Sequence, residues 1–182
     1  MGRFVIMTVG KTHSGKTTFA KALEQQLTNA VVIDQDNHAE FINTYYKALQ
    51  PKTGPNALKY AISQTIVNHA INETDLHIIL CNSNRNRQGR LDLLNQFHSQ
   101  GFTSILVHFD ISYEVLQERV TNSQRSTAVL RSAYNFQEVL KRQQTESESD
   151  PVAGEAGALL TIKNNEDVQS AISKIVSMTE NE

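Results

Sequence analysis

The chain alternates short apolar runs with longer stretches in which apolar residues recur every three or four positions. Phe4–Val9 is a compact, β-branched run ended by Gly10 and predicts a buried strand. Val31–Ile33, Leu76–Cys81, Ser104–Phe109 and Leu159–Ile162 predict four more. Lys16–Leu27 sets Phe19, Ala20, Leu23 and Leu27 on one helical face. Further helices are predicted over Asn37–Leu49, Asn56–Asn72, Leu91–Gln100, Tyr113–Thr121, Thr127–Gln144 and Asp167–Met178, with a polar loop over Glu146–Pro151. The last helix is amphipathic, and packing on the sheet or on a second subunit both satisfy it. Strands alternating with helices predict an α/β three-layer fold with a parallel sheet covered on both faces and right-handed crossovers. One domain over residues 1–182 is expected, with a mobile lid around 122–128.

Composition narrows the partners. A net charge of −2, with 20% charged residues and no Trp, supplies neither the basic stripe nor the stacking aromatics of a nucleic-acid module. No apolar run is long enough for a signal peptide or a membrane span, so no membrane partner is expected. The single cysteine, Cys81, fits a reducing, cytoplasmic setting and reads as strand packing. His69, His77, His98 and His108 lack metal-ligand spacing.

The first strand runs into Gly10-Lys11-Thr12-His13-Ser14-Gly15-Lys16-Thr17, which fits G-x-x-x-x-G-K-[ST] at every fixed position. Gly10 permits a sharp turn off the strand, and Gly15 permits close backbone approach to phosphates. Successive N–H groups and the following helix N-terminus, with Thr18 next in line, form an anion nest. Lys16 adds charge over the β- and γ-phosphates, and the Thr17 hydroxyl is placed to ligate Mg²⁺. Lys11 and His13 fill variable positions and are expected to face solvent. ATP and Mg²⁺ are the expected ligands.

Asp34 and Asp36 follow the second strand, on the side of the sheet where ligands bind in open α/β folds. Extended alternation would point both the same way. Asp36 is assigned as base or acceptor-orienting group and Asp34 to the magnesium shell, with the roles interchangeable; Asp36 as a plain helix cap is the competing reading. Asn82 to Arg87 follow the third strand and could bind an acceptor. Arg119 and Arg125 suit charge stabilisation at a lid, whereas Arg90 and Arg131 read as solvated helix-face residues.

With these residues in view, the chain resembles the P-loop kinases related to the 5′-hydroxyl polynucleotide kinase domain. The P-loop carries the likeness, supported by Ile79–Arg85, by Phe109-Asp110 followed by Arg119 and Arg125, and by Val129–Tyr134. The resemblance implies strand order 2-3-1-4-5, Arg125 as a lid arginine with Arg119 at its base, Asp36 or Asp34 as general base, and Asn164 near the adenine. Two positions depart from the pattern: Asn82 replaces the usual Asp, and Asn37–Glu40 offers no arginine for an acceptor phosphate. The expected activity is ATP-dependent phosphoryl transfer to a hydroxyl on a small molecule, a nucleoside-like molecule or, less favoured, a nucleic-acid end. The alternative is an ATP-dependent switch or slow hydrolase. It is disfavoured because the third strand, ending Leu80-Cys81-Asn82, carries no Walker B carboxylate.

Overall fold

The computed structural model describes residues 2–130, 135–146 and 149–181. Five parallel strands form one sheet in the order β2-β3-β1-β4-β5. They are β1 (Arg3–Gly10), β2 (Ala30–Asp34), β3 (His77–Cys81), β4 (Phe102–Phe109) and β5 (Ala158–Ile162). Seven α-helices occupy the described residues: α1 (Lys16–Gln26), α2 (Gln35–Tyr45), α3 (Ala57–Glu73), α4 (Arg87–Ser99), α5 (Tyr113–Thr121), α6 (Phe136–Thr145) and α7 (Glu166–Glu180).

Residues of β1 divide between two cores by strict alternation. Phe4 and Ile6 join Phe19 and Leu23 of α1 and Ile172 and Ile175 of α7 on one face. Val5, Met7 and Val9 join Val67 and Ile71 of α3 and Leu94 and Phe97 of α4 on the other. A central strand buried on both faces therefore reads as a continuous apolar run. α7 settles on the sheet, with Ala171, Ile172 and Ile175 buried. The expected three-layer fold and strand order match the observed ones.

Three helices depart from expectation. α2 begins at Gln35, because the Asp34 side chain caps it by accepting from the Asp36 N–H at 2.9 Å, and it ends before a separate 3-10 turn at Lys47–Leu49. α4 begins at Arg87, four residues early, under an Asn86 side-chain cap. The predicted helix over 127–144 is a 3-10 turn at Thr127–Val129 followed by α6, capped by Asn135. Arg131–Tyr134, including the arginine read as solvated, lie outside the described residues.

Candidate functional site

The phosphate-loop motif leaves the carboxyl end of β1 and closes on α1. Gly10 has φ 156°, and a Cβ there would lie 2.9 Å from Phe109 Cβ on the adjacent strand, so a side chain is excluded. Gly15 has φ 101° and caps α1 from the left-handed region. A Cβ at Gly15 would meet only ordinary contacts, so backbone conformation makes this position glycine.

Lys16 folds back over the loop, donating to Lys11 O at 2.5 Å and Ser14 Oγ at 3.1 Å. Burial pushes its pKa down to about 8, against the opposing pull of Cys81, Asp36 and Asp34. Thr17 Oγ1 donates to Asp34 Oδ2 at 3.1 Å and lies 3.6 Å from Cys81 Sγ. Asp34 and Cys81 are register partners on neighbouring strands. Burial raises the Cys81 thiol to about 12, so this position offers a neutral group and Asp34 supplies the carboxylate beneath Thr17.

The two aspartates line one cleft from different backbone settings. The chain turns helical at Gln35, so Asp36 sits in the first turn of α2 while Asp34 stays buried at the strand end. Asp34, and not Asp36, is the helix cap. Asp36 faces the opening, where its Oδ2 accepts from Arg125 Nη2 at 2.5 Å.

The expected lid segment follows α5. Arg119 donates to the His13 and Ser14 carbonyls at 3.3 and 3.4 Å and to Asn165 Oδ1 at 3.0 Å. Arg125 lies 5.2 Å over the Phe136 ring. Asn43 of α2 donates to Ala128 O and Leu130 O, tying the segment to the acidic helix. His13 does not simply face solvent. It holds a left-handed φ of 58°, bonds Ser123 Oγ at 2.8 Å and packs edge-on against Phe136. Burial, with the charges of Arg125 and Lys16, lowers its pKa to about 4 and keeps the ring neutral.

Lys11 is also engaged, donating to Gln144 Oε1 at 2.6 Å, while Gln143 Oε1 accepts from the Thr12 N–H at 2.7 Å. Phe136, Gln143 and Gln144 were not expected near the loop, and nothing in their spacing singles them out. Thr18 and Asn164 line the same cleft, but the Asn164 side chain is occupied at the start of α7, accepting from the Glu166 and Asp167 N–H groups.

Of the stretch after β3, Asn82 and Ser83 line the cleft and its arginines do not. Arg85 donates to Gln143 O at 2.7 Å, and Arg87 pairs with Glu155 at 3.1 Å. Arg90, read from the sequence as solvated, is 2% exposed. It pairs with Glu155 at 2.8 Å and donates to the carbonyls of Asn84, Arg85 and Ser149. Burial alone would raise the Glu155 carboxyl, but the bonds and charge of Arg90, with Arg87, hold it below its ordinary value. The pair fastens the turn after β3 to the segment before β5.

The cleft framed by these residues has a volume of about 1030 Å³, large enough for a nucleotide and a second ligand. Asn37 and Glu40 of α2, Lys59 and Tyr60 of α3, and Asn82 and Ser83 after β3 line the side away from α7. No helix among the described residues is long and apolar enough to cross a membrane. No group of three or more His, Cys, Asp or Glu among them is arranged to hold a metal unaided.

No curated protein sequence matches the chain. Among solved structures it is similar to a candidate kinase from Chloroflexus aurantiacus, at 18% identity and TM-score 0.68, covering 100% of this chain and 98% of the other. It is similar to the Mycobacterium tuberculosis APS kinase CysC in complex with AMPPNP and APS, at 14% identity and TM-score 0.59, covering 98% of both chains. It is also similar to a chain of the Pnkp1/Rnl/Hen1 complex, at 17% identity and TM-score 0.53, covering 74% of this chain and 44% of that one. At these identities the likeness is one of fold, the P-loop kinase-like fold. Residues 5–148 match the family model described as an AAA domain, and the chain belongs to that family.

Proposed function

We propose that the chain is an ATP-dependent phosphotransferase that moves the γ-phosphoryl group onto a hydroxyl of an acceptor entering between α2 and α3. The observation that carries this reading is the division of labour between two neighbouring carboxylates. Asp34 is buried beneath Thr17, whereas Asp36 faces the open cleft. Asp36 is thus free to orient a hydroxyl, and the cleft leaves room beside the nucleotide for an acceptor larger than water.

In this reading the loop amides and Lys16 bind the β- and γ-phosphates. Thr17, with Asp34 behind it, would hold Mg²⁺, and the ion would offset charge on the phosphates. Asp36 orients the acceptor hydroxyl and takes its proton as the new O–P bond forms and the bond from the γ-phosphorus to the β,γ-bridging oxygen breaks, leaving ADP. Arg125 leaves Asp36 to meet the charge spreading over the equatorial oxygens, and Arg119 braces the loop backbone. Residues 122–128 act as the lid, and the adenine lies towards Asn164. The kinase-like neighbours support this assignment through their fold. A cytoplasmic setting supplies ATP and keeps Cys81 reduced.

Acceptor-stimulated ADP release tests the reading. Nucleosides, sugars, hydroxy acids and 5′-hydroxyl oligonucleotides are added singly to protein, ATP and Mg²⁺. Stimulation by one class, lost in Asp36→Asn, is expected. Slow ADP release that no hydroxyl compound accelerates would favour the switch or hydrolase.

A further inference from the structure

Beside the acidic helix lies a second cavity of about 400 Å³. Ile33, Leu80, Leu93 and Val67 supply its apolar walls. It adjoins the large cleft, because Gln35, Tyr60 and Asn82 line both. The two spaces differ in charge. The large cleft presents Lys16, Asp34, Asp36, Arg119 and Arg125, whereas no charged side chain lines the smaller one among the described residues. A carboxylate or phosphate seated there would lose its hydration with no opposite charge to offset it.

One polar atom at this junction is unused. Gln35 Oε1 is buried and has no hydrogen-bond partner among the described residues. A buried carbonyl oxygen left in that state calls for a donor. The nearby Ser63 hydroxyl is already committed, donating to Lys59 O at 2.9 Å and bonding His38 Nδ1 at 2.7 Å.

We infer that this cavity seats the non-reacting part of the acceptor: an uncharged, largely apolar ring group bearing one N–H or O–H donor, which Gln35 Oε1 accepts once its side chain turns out to the cavity. The acceptor hydroxyl then projects through the shared opening towards Asp36. The inference rests on the phosphotransferase reading and narrows it. Its size suits a group of one or two rings. Small polyhydroxy acids and sugar phosphates leave the cavity unfilled.

The probe is indole-3-ethanol, which joins an uncharged ring system, an N–H donor and a hydroxyl. Its 2-naphthyl analogue lacks the donor, and glycerate is the charged control. Binding is followed by methyl NMR on the ADP-bound protein. Indole-3-ethanol is expected to shift the methyls of Ala61, Val67 and Leu93, and the naphthyl analogue to bind about tenfold more weakly, the loss of one buried hydrogen bond. Ala61→Trp, at an exposed position on the cavity rim, removes the Val67 and Leu93 shifts and leaves ADP affinity unchanged. Gln35→Leu reverses the preference between the two ring compounds. Absent shifts, shifts that persist in Ala61→Trp, or equal binding of glycerate at these methyls would overturn the assignment. Seating of the probe without transfer to any hydroxyl would leave the cavity assigned and sink the phosphotransferase reading. Transfer to a charged acceptor with a KM untouched by Ala61→Trp would do the reverse.

Discussion

Arg125 Nη2 donates to Asp36 Oδ2 at 2.5 Å, joining the segment after α5 to the first turn of α2 across the mouth of the cleft. Both side chains are at least one-third exposed, at 34% and 44%. Such a pair contributes at most about 1 kcal/mol to stability. Its significance is positional, because the proposed base and the proposed lid arginine occupy each other.

Asp36→Asn is therefore expected to lower kcat by about 10²–10⁴-fold, the range of a lost general base, with ATP affinity and Tm nearly unchanged. Arg125→Ala is expected to lower kcat comparably. The double variant should lose less than the two single losses combined, because the residues act on the same step. Steady-state kinetics beside equilibrium ATP binding check this. A stability loss in Asp36→Asn large enough to account for its kinetics would assign the pair to the fold instead.

Lys16 gives ATP binding a pH dependence. Its pKa lies near 8 in the free protein because burial disfavours the ammonium. Triphosphate binding favours the charged form, so above that pH binding must draw a proton from solvent. The Kd for ATP is expected to be flat below about pH 7.5 and to rise by up to about tenfold per unit above it. Calorimetry in buffers of different ionisation heat should register proton uptake, and Lys16→Met should abolish it. A wild-type Kd flat to pH 9.5 would contradict the assignment.

Arg90 and Glu155 form the buried counterpart of the exposed pair, with side chains 0% and 2% exposed. Arg90→Met leaves the buried carboxylate with only the half-exposed Arg87 as partner and is expected to destabilise the protein by about 3 kcal/mol. Replacing both, with Arg90→Met and Glu155→Leu, should recover most of that loss. Urea unfolding of the single and double variants makes the comparison. Equal destabilisation of both would show that the carbonyl contacts of Arg90, and not its charge, hold the turn after β3.

What was legible in the sequence was local. The phosphate loop announces itself because its glycines, lysine and threonine act through the backbone of one short segment. The strand order came with the family resemblance that those residues carry. What stayed hidden depends on contacts between distant segments. Arg90 looks like a surface residue until Glu155, 65 positions away, folds over it. Both aspartates line the cleft, but not by extended alternation, because the Asp34 side chain caps a helix that starts at Gln35. Gln143 and Gln144 meet the phosphate loop only through the packing of α6.

The measurement that tests the central claim most directly is the fate of the terminal phosphorus of ATP. Wild-type protein and Lys16→Ala are incubated with γ-³²P ATP, Mg²⁺ and the acceptor panel, and products are separated from inorganic phosphate. The account predicts label covalently attached to one acceptor class by the wild type and none by Lys16→Ala. Label recovered only as inorganic phosphate, or on an acceptor equally with both proteins, would contradict it.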